Sequence, residues 1–221
     1  MVALLAPQAG ESILDIGCGI GGPARWIAWN FHCVVTGIDL TRALCEAAED
    51  LNTACGMRDR VHIEHGSALA LPFLDGSFDR AYSQHVAMNI ADKAGMYREA
   101  CRVLKPGGVL VLSNLARGPN GPPHFPVPWA TQAEQSFLAT EADTRRDLQA
   151  VGFVIESYQD MTDAILPSAA AIRRKLETEK APPLGVHVWL GADFITRQIN
   201  TQRSLEEGRT CAVEILARKP G

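Results

Sequence analysis

The sequence lacks the features that mark several large classes of protein. No two of its six cysteines have the C-x-x-C spacing of zinc or redox sites, so we predict free thiols in a reducing compartment and no metal site. No apolar run reaches the ~18 residues that a membrane helix needs. The start, "MVALLAPQAG", has neither the length nor the basic residues of a signal peptide. These absences predict a cytoplasmic protein without a membrane partner.

Positive charge is also scarce. Lysine and arginine total 21 against 25 acidic residues, which leaves a net charge of −4, and no basic run occurs. A nucleic-acid partner usually requires a basic face, so we predict none. The 221 residues, 47% of them hydrophobic, are enough for one domain spanning 1–221 with a core of its own.

What is present is a regular alternation of strand and helix patterns. Short apolar, β-branched or alternating runs predict strands at 12–17, 33–39, 60–66, 78–84 and 109–116. Pro23 and Thr41 stand where the first two helices should begin, and Asp92 should cap a third that "KPGG" ends. Five strands alternating with helices predict an α/β fold with a mostly parallel sheet.

The last part of the chain breaks this alternation. A Pro/Gly-rich stretch at 117–130 predicts a long loop, and a helix at about 140–150 precedes a strand at 152–158. A final strand is predicted at 211–220, with two helical patterns between the last strands, in residues 163–208. Two late strands separated only by an insertion can add to the sheet as an antiparallel edge.

The stretch "DIGCGIGGPARW", residues 15–26, contains the G-x-G-x-x-G spacing of a dinucleotide-binding turn. A strand, glycine turn and helix of this kind serve both nicotinamide dinucleotides and S-adenosylmethionine. Asp15 sits badly beside a pyrophosphate, but it can attract the ammonium group of a methionine tail, directly or through water. Asp39, at the end of the second strand, can bind a ribose diol in either ligand. The residues therefore favour S-adenosylmethionine and leave the dinucleotide open.

Three further segments carry a family resemblance. Beside "ILDIGCGIGGPAR", the motifs "GID" (37–39), "GSALALPFLDGSFDRAYSQHV" (66–86) and "REACRVLKPGGVL" (98–110) resemble those of class I S-adenosylmethionine-dependent methyltransferases. They are most similar to the ubiquinone/menaquinone-biosynthesis-like enzymes, and also to sterol, tocopherol and sarcosine/dimethylglycine methyltransferases. The resemblance implies a Rossmann-like, doubly wound sheet of seven strands in the order 3-2-1-4-5-7-6, with strand 7 antiparallel and residues 163–208 as a helical lid on the substrate side.

The resemblance also implies a set of cofactor-binding positions. These are Asp15, Gly17, Cys18, Gly19, Asp39, Leu40, Ser67, Ala68 and Gln84. The aspartate and glycines at 15–19 would line the methionine end, Asp39 would bind the ribose, and Leu40 would pack on the adenine. Ser67 stands where the family most often has an acid that reads the adenine amino group, so backbone atoms would have to replace that contact.

The predicted acceptor-binding residues lie after the fourth strand and on two later segments. His85, expected beside the reacting methyl group, is the candidate catalytic base because histidine titrates near neutral pH. The substrate-binding candidates are His85, Met88, Asn89, Phe125, Trp129, Trp189 and Phe194. His124 is a weaker one. The aromatic and methionine side chains predict a partly apolar small-molecule acceptor.

The expected reaction is therefore methyl transfer to oxygen, nitrogen or carbon of a small molecule, with S-adenosylhomocysteine as the product. The absence of a D/N-P-P-Y motif and of a Pro-Cys nucleophile after the fourth strand argues against nucleic-acid bases as acceptors. A nicotinamide-dependent oxidoreductase and a non-catalytic cofactor-binding protein are the alternatives. Relatives carry helices before the first strand, so either this chain is truncated or another segment covers the cofactor. Monomer and homodimer both stay open.

Overall fold

A computed structural model describes residues 1–168, 185, 188 and 191–221. Seven strands form one sheet: β1 (Ser12–Ile16), β2 (Val34–Asp39), β3 (Val61–His65), β4 (Phe78–Gln84), β5 (Leu104–Arg117), β6 (Val154–Asp160) and β7 (Thr210–Arg218). The helices are α1 (Val2–Leu5), α2 (Gly22–Phe31), α3 (Arg42–Ala54), α4 (Lys93–Val103), α5 (Glu141–Ala150) and α6 (Phe194–Glu206). Short 3-10 turns lie at Ala87–Asn89, Ala133–Gln135 and Gly191–Asp193.

The order of the strands is β3-β2-β1-β4-β5-β7-β6, which confirms the predicted fold class. β1 to β5 pair in parallel, whereas β7 runs antiparallel to both β5 and β6. The chain reverses its direction of winding between β1 and β4. In sheets of this kind ligands bind outside the carboxyl ends of the strands at that point.

Apolar side chains fill both faces of the sheet. On one face, α4 and α5 cover a cluster that includes Met96, Tyr97 and Leu148. On the other, α1 and α2 cover Tyr82 and Val111. Strands buried on both faces keep their backbone fixed, so their carboxyl ends form a rigid edge for the loops.

Two local predictions need correction. "KPGG" does not separate α4 from the next strand: β5 begins at Leu104 and runs through it, because Gly107 N–H donates to the Lys219 carbonyl (3.0 Å) and Lys219 N–H to the Gly108 carbonyl (2.9 Å). Thr41 occupies the N-cap position of α3, but its side chain makes no capping bond. The cap predicted on α4 is confirmed, since the Asp92 carboxylate accepts the Gly95 N–H at 2.8 Å.

The predicted insertion, residues 163–208, falls between β6 and β7, and part of it lies outside the described residues. Residues 162–168 are helical, and α6 leads back into β7. Within the described ranges no helix is long and apolar enough to cross a membrane. No group of three or more histidine, cysteine or acidic side chains in those ranges could hold a metal ion.

Candidate active site

The glycine loop after β1 is shaped by two different demands. Gly17, at φ +81°, lies so close to the turn after β4 that a Cβ would come within 2.3 Å of Val86 Cγ2. Gly19, at φ +52°, faces open space, with no atom within 4 Å of the place a Cβ would take. The first glycine is therefore needed for packing between loops, and the second leaves an open approach to the backbone.

Asp39 at the end of β2 holds this loop in place. Its Oδ2 accepts the N–H of Gly19 at 2.9 Å, and its Oδ1 accepts the N–H of Thr41 at 2.9 Å. Each carboxylate oxygen keeps a further lone pair. The side chain is thus fixed in orientation and can still accept hydrogen bonds from a diol.

Asp15 is a nearly enclosed carboxylate, 2% exposed, whose Oδ2 accepts the Tyr82 hydroxyl at 2.7 Å. Burial raises the pKa of Asp15 to about 7, the Tyr82 hydrogen bond opposes this rise, and the nearby Asp39 charge adds to it. No cationic side chain in the described part of the chain pairs with it. A buried carboxylate without a cation favours a ligand that brings one, such as an ammonium group.

The edge expected to face the adenine consists of two adjoining loops. Gly66 N–H donates to the Asp39 carbonyl at 2.9 Å, which joins the loop after β3 to the end of β2. Leu40 is 72% exposed there, so its apolar side chain is free to pack on a ligand. Ser67 Oγ accepts the Leu69 N–H at 3.1 Å within its own turn.

Cys18 is buried and Ala68 is partly buried. Cys18 is 6% exposed, and burial followed by the charges of Asp15 and Asp39 raises the pKa of its thiol, which keeps it protonated. Ala68 packs against the core on the α4 side of the sheet. Both contribute shape rather than charge to the loops around them.

The turn after β4 has an unusual backbone. Gln84 ends the strand, and His85 has φ +58°, which costs a residue with a Cβ of the order of 1 kcal/mol or more. His85 N–H donates to the Ser113 carbonyl at 2.8 Å, and the N–H of Val86 to Asn114 Oδ1 at 3.1 Å. These bonds fix the left-handed turn at the carboxyl edge of the sheet.

The His85 ring is exposed at this edge, although the atoms around it desolvate the imidazole and lower its pKa below the usual value. A lowered pKa keeps the ring neutral near pH 7, the form that can accept a proton. Asn89, also exposed, donates from Nδ2 to the Val86 carbonyl, whereas Met88 is 2% exposed.

The loop after β5 crosses in front of this turn. Phe137 N–H donates to the Met88 carbonyl at 2.9 Å, and Trp129 Nε1–H donates to Ser136 Oγ at 2.9 Å. Phe125 lines a cavity of about 310 Å³ beneath the loop. Phe125 and Trp129 thus lie on the loop that contacts the turn after β4 through Phe137.

The remaining acceptor candidates differ in their placement. Phe194 is partly buried at the start of α6. Trp189 lies outside the described residues. His124 is hydrogen-bonded to Glu207, Nε2 to Oε2 at 2.8 Å, and so anchors the loop to the turn before β7.

Three residues whose side chains hold parts of the site by hydrogen bonds were not predicted from the sequence. Tyr82 holds Asp15, Asn114 holds the turn after β4, and the Nζ of Lys93 donates to the carbonyls of Ile90 and Phe137. Burial lowers the pKa of Lys93. One signal was available, because Asn114 is the only amide in the apolar run "VLVLSNLA".

The geometry defines a nucleotide-type cofactor site at the switch point of a doubly wound sheet. Residues 14–112 match the family model of the methyltransferase domain. The curated matches include O-, N- and C-methyltransferases, so no one subtype stands out. Over these residues the chain is similar to class I S-adenosylmethionine-dependent methyltransferases, whose cofactor is S-adenosylmethionine.

Individual relatives show how far the likeness extends. Methyltransferase GfsG of Streptomyces halstedii is 37% identical over 108 residues, which cover 49% of this chain and 39% of that protein. O-methyltransferase cnsE of Penicillium expansum is 32% identical over 173 residues, 77% of this chain and 62% of that protein. The crystal structure of the [4+2]-cyclase SpnF superposes with a TM-score of 0.80 at 23% identity, covering 99% of this chain and 79% of that one. The chain thus spans less than two thirds of either curated relative.

Proposed function

We propose that this protein is an S-adenosylmethionine-dependent methyltransferase that transfers the methyl group to oxygen, nitrogen or carbon of a small-molecule acceptor in the cytoplasm. One observation carries the proposal: the buried Asp15 carboxylate, without a cationic partner among the described residues, lies beneath a glycine loop that is open at Gly19. A zwitterionic methionine tail supplies the missing cation, whereas a pyrophosphate would add a second negative charge.

The neighbouring residues suit the other parts of the cofactor. Asp39 is oriented by two backbone amides, so it can accept hydrogen bonds from a ribose diol without reorganising. Leu40 offers an exposed apolar surface for the adenine ring, and the turn at Ser67 and Ala68 adjoins it. Gln84, the last residue of β4, lies at the edge where the sulfonium would be held.

When bound, the cofactor supplies a methyl group on a positively charged sulfur, which is a good leaving group. The protein must then hold the acceptor atom in line, ~3–3.5 Å away, and exclude water. His85 takes a proton from the acceptor atom where that atom carries one. Met88, Asn89, Phe125, Trp129, Trp189 and Phe194 are the proposed acceptor-side residues.

Calorimetric titration separates this function from its alternatives. S-adenosylhomocysteine should bind and NADH should not, and Asp39→Ala should weaken S-adenosylhomocysteine at least ~10-fold, the loss expected when hydrogen bonds to a charged group are removed. Binding of NADH alone would support the oxidoreductase. A second assay follows labelled methyl groups into a pool of small metabolites. Tight cofactor binding without any incorporation would support the non-catalytic alternative.

A further inference from the structure

The cavity beneath the loop after β5 is lined by residues that are not part of the proposed cofactor site. Its volume of about 310 Å³ falls at the lower end of the range for pockets that hold small organic molecules. The walls are mainly apolar, with Pro122, Pro123, Phe125 and Leu138 among the lining residues. Arg117, the last residue of β5, also lines the cavity.

The cavity lies beside the proposed reaction centre. Arg117 N–H donates to the Ala139 carbonyl at 2.8 Å, so the end of β5 and the end of the loop run side by side. Ser136 and Leu138, both lining residues, flank Phe137, whose N–H donates to the Met88 carbonyl. The cavity wall is therefore attached to the turn that carries His85.

The charges around this cavity are unbalanced. Within the described ranges Arg117 is the only charged lining residue, and its guanidinium has no ion pair. Two arginines that hold this loop are paired. Arg197, which donates to the Val127 carbonyl, pairs with Asp193, and Arg209, which donates to the Pro122 carbonyl, pairs with Glu207.

A second positive charge lies close by and is already engaged. The Nζ of Lys93 donates to two carbonyls. Burial lowers the pKa of Lys93, the charge of Asp147 opposes this, and the charge of Arg117 adds to the lowering. Arg117 thus adds a positive charge near another one, at the mouth of an apolar cavity. An anion placed there would receive the forked guanidinium hydrogen bonds.

We propose that this cavity binds an amphipathic anion, with the apolar body among Phe125, Leu138 and the prolines and the carboxylate or phosphate on Arg117. Its role as the acceptor pocket rests on the proposed methyltransferase function, whereas anion binding by the cavity does not. The acceptor class that follows is an acid with an apolar ring or chain, which is narrower than a partly apolar small molecule.

The test uses three probes of one shape and different charge: 2-naphthoate, 2-naphthyl phosphate and the neutral 2-naphthamide. Each is titrated by fluorescence into the full chain, with and without S-adenosylhomocysteine. At least one anion should bind about tenfold or more tightly than the amide, as expected for a charge-assisted hydrogen bond at a partly open site. The anion that binds more tightly shows whether the site prefers a carboxylate or a phosphate.

Variants connect the preference to one side chain. Arg117→Gln should bring the affinity for the anion down to that for the amide, and Arg117→Lys should keep part of the preference. Arg58→Gln is the matched control, because Arg58 is an exposed arginine on the turn between α3 and β3 and lies far from the cavity in the sheet. Thermal unfolding checks that each variant is folded.

The outcomes distinguish this proposal from the proposed function. Equal binding of anions and amide, no binding of any probe, or an anion preference that survives in Arg117→Gln would each overturn the anion site. Failure of S-adenosylhomocysteine to bind would overturn the proposed function. The probe titrations in the absence of S-adenosylhomocysteine would still test whether the cavity binds anions.

Discussion

Replacing Tyr82 by phenylalanine removes one hydroxyl group from the centre of the proposed cofactor site. That hydroxyl donates to Asp15 Oδ2 at 2.7 Å, and both side chains are buried. Phenylalanine keeps the ring that packs against the α2 side of the sheet. The substitution therefore tests the hydrogen bond with little change in packing.

The size of the effect follows from the bond. A hydrogen bond to a charged group contributes about 1.5–3 kcal/mol. At 1.36 kcal/mol per unit, its loss should raise the pKa of Asp15 by about 1–2 units. Starting from about 7, the carboxyl in the variant should titrate at about 8–9. If only the ionised form attracts the ammonium group, affinity for S-adenosylhomocysteine near pH 7.5 should fall about 3- to 25-fold.

Calorimetry across the neutral and mildly alkaline range measures both the affinity and its midpoint in pH. The ligand's own amino group titrates identically with every variant, so a difference between midpoints reports Asp15. The groups that act on this carboxyl are Tyr82 on β4 and Asp39 on β2. Tyr97→Phe is the matched control, since Tyr97 is 1% exposed in the core on the opposite face and does not contact Asp15.

The result that would refute this reasoning is a Tyr82→Phe protein whose affinity and pH midpoint equal those of the unchanged protein. Asp15 would then not bind the cofactor through its charge. A loss of affinity with no shift of the midpoint would also count against it, because it would show a change in shape alone. An equal shift of the pH midpoint in Tyr97→Phe would assign the effect to a general loosening of core packing.

Three further substitutions test neighbouring features. Gly17→Ala should lower the free energy of unfolding in urea by about 2–4 kcal/mol, because its Cβ would meet Val86 at a positive φ; unchanged stability would contradict the packing. Asp15→Asn should stabilise the ligand-free protein by up to about 4 kcal/mol above pH 7, and it should have no such effect below the unfolded pKa of 3.8. The reason is that a carboxyl whose folded pKa is raised loses its stabilising contribution as pH rises through the folded pKa of about 7. A difference that does not depend on pH would refute this. His85→Ala should lower turnover ~10²-fold, and less at low pH, if the ring is a base. A loss of turnover below tenfold, or one equal to that of the exposed control His62→Ala, would show that His85 lines the pocket and does not act as a base.

The sequence allowed much of the fold to be predicted because the relevant signals are local. Alternating strand and helix patterns indicated a parallel sheet, and Asp92 marked the start of α4 by its position alone. The family motifs added the order of the strands. The strand through "KPGG" was missed because its partner, the segment at Lys219, lies at the other end of the chain.

The candidate site was predictable in part for the same reason. Glycine spacing and an acid at a strand end are read along one segment, which is how Asp15, Gly19 and Asp39 were found. Trp129 and Phe125 were expected on the acceptor side from their place on the loop after β5, a position that the topology of such sheets assigns in general terms.

By itself, the sequence determined that a glycine loop follows a buried strand, that acids stand at the ends of the first two strands, and that most of the strands run in parallel. Only the tertiary structure decided that Tyr82 holds Asp15, that Asn114 fixes the turn at His85, and that Arg117 faces a cavity without a counter-ion among the described residues. The physical reason is that hydrophobic periodicity tells which face of a segment is buried. Which side chains of distant segments then meet depends on how the loops pack over the sheet edge.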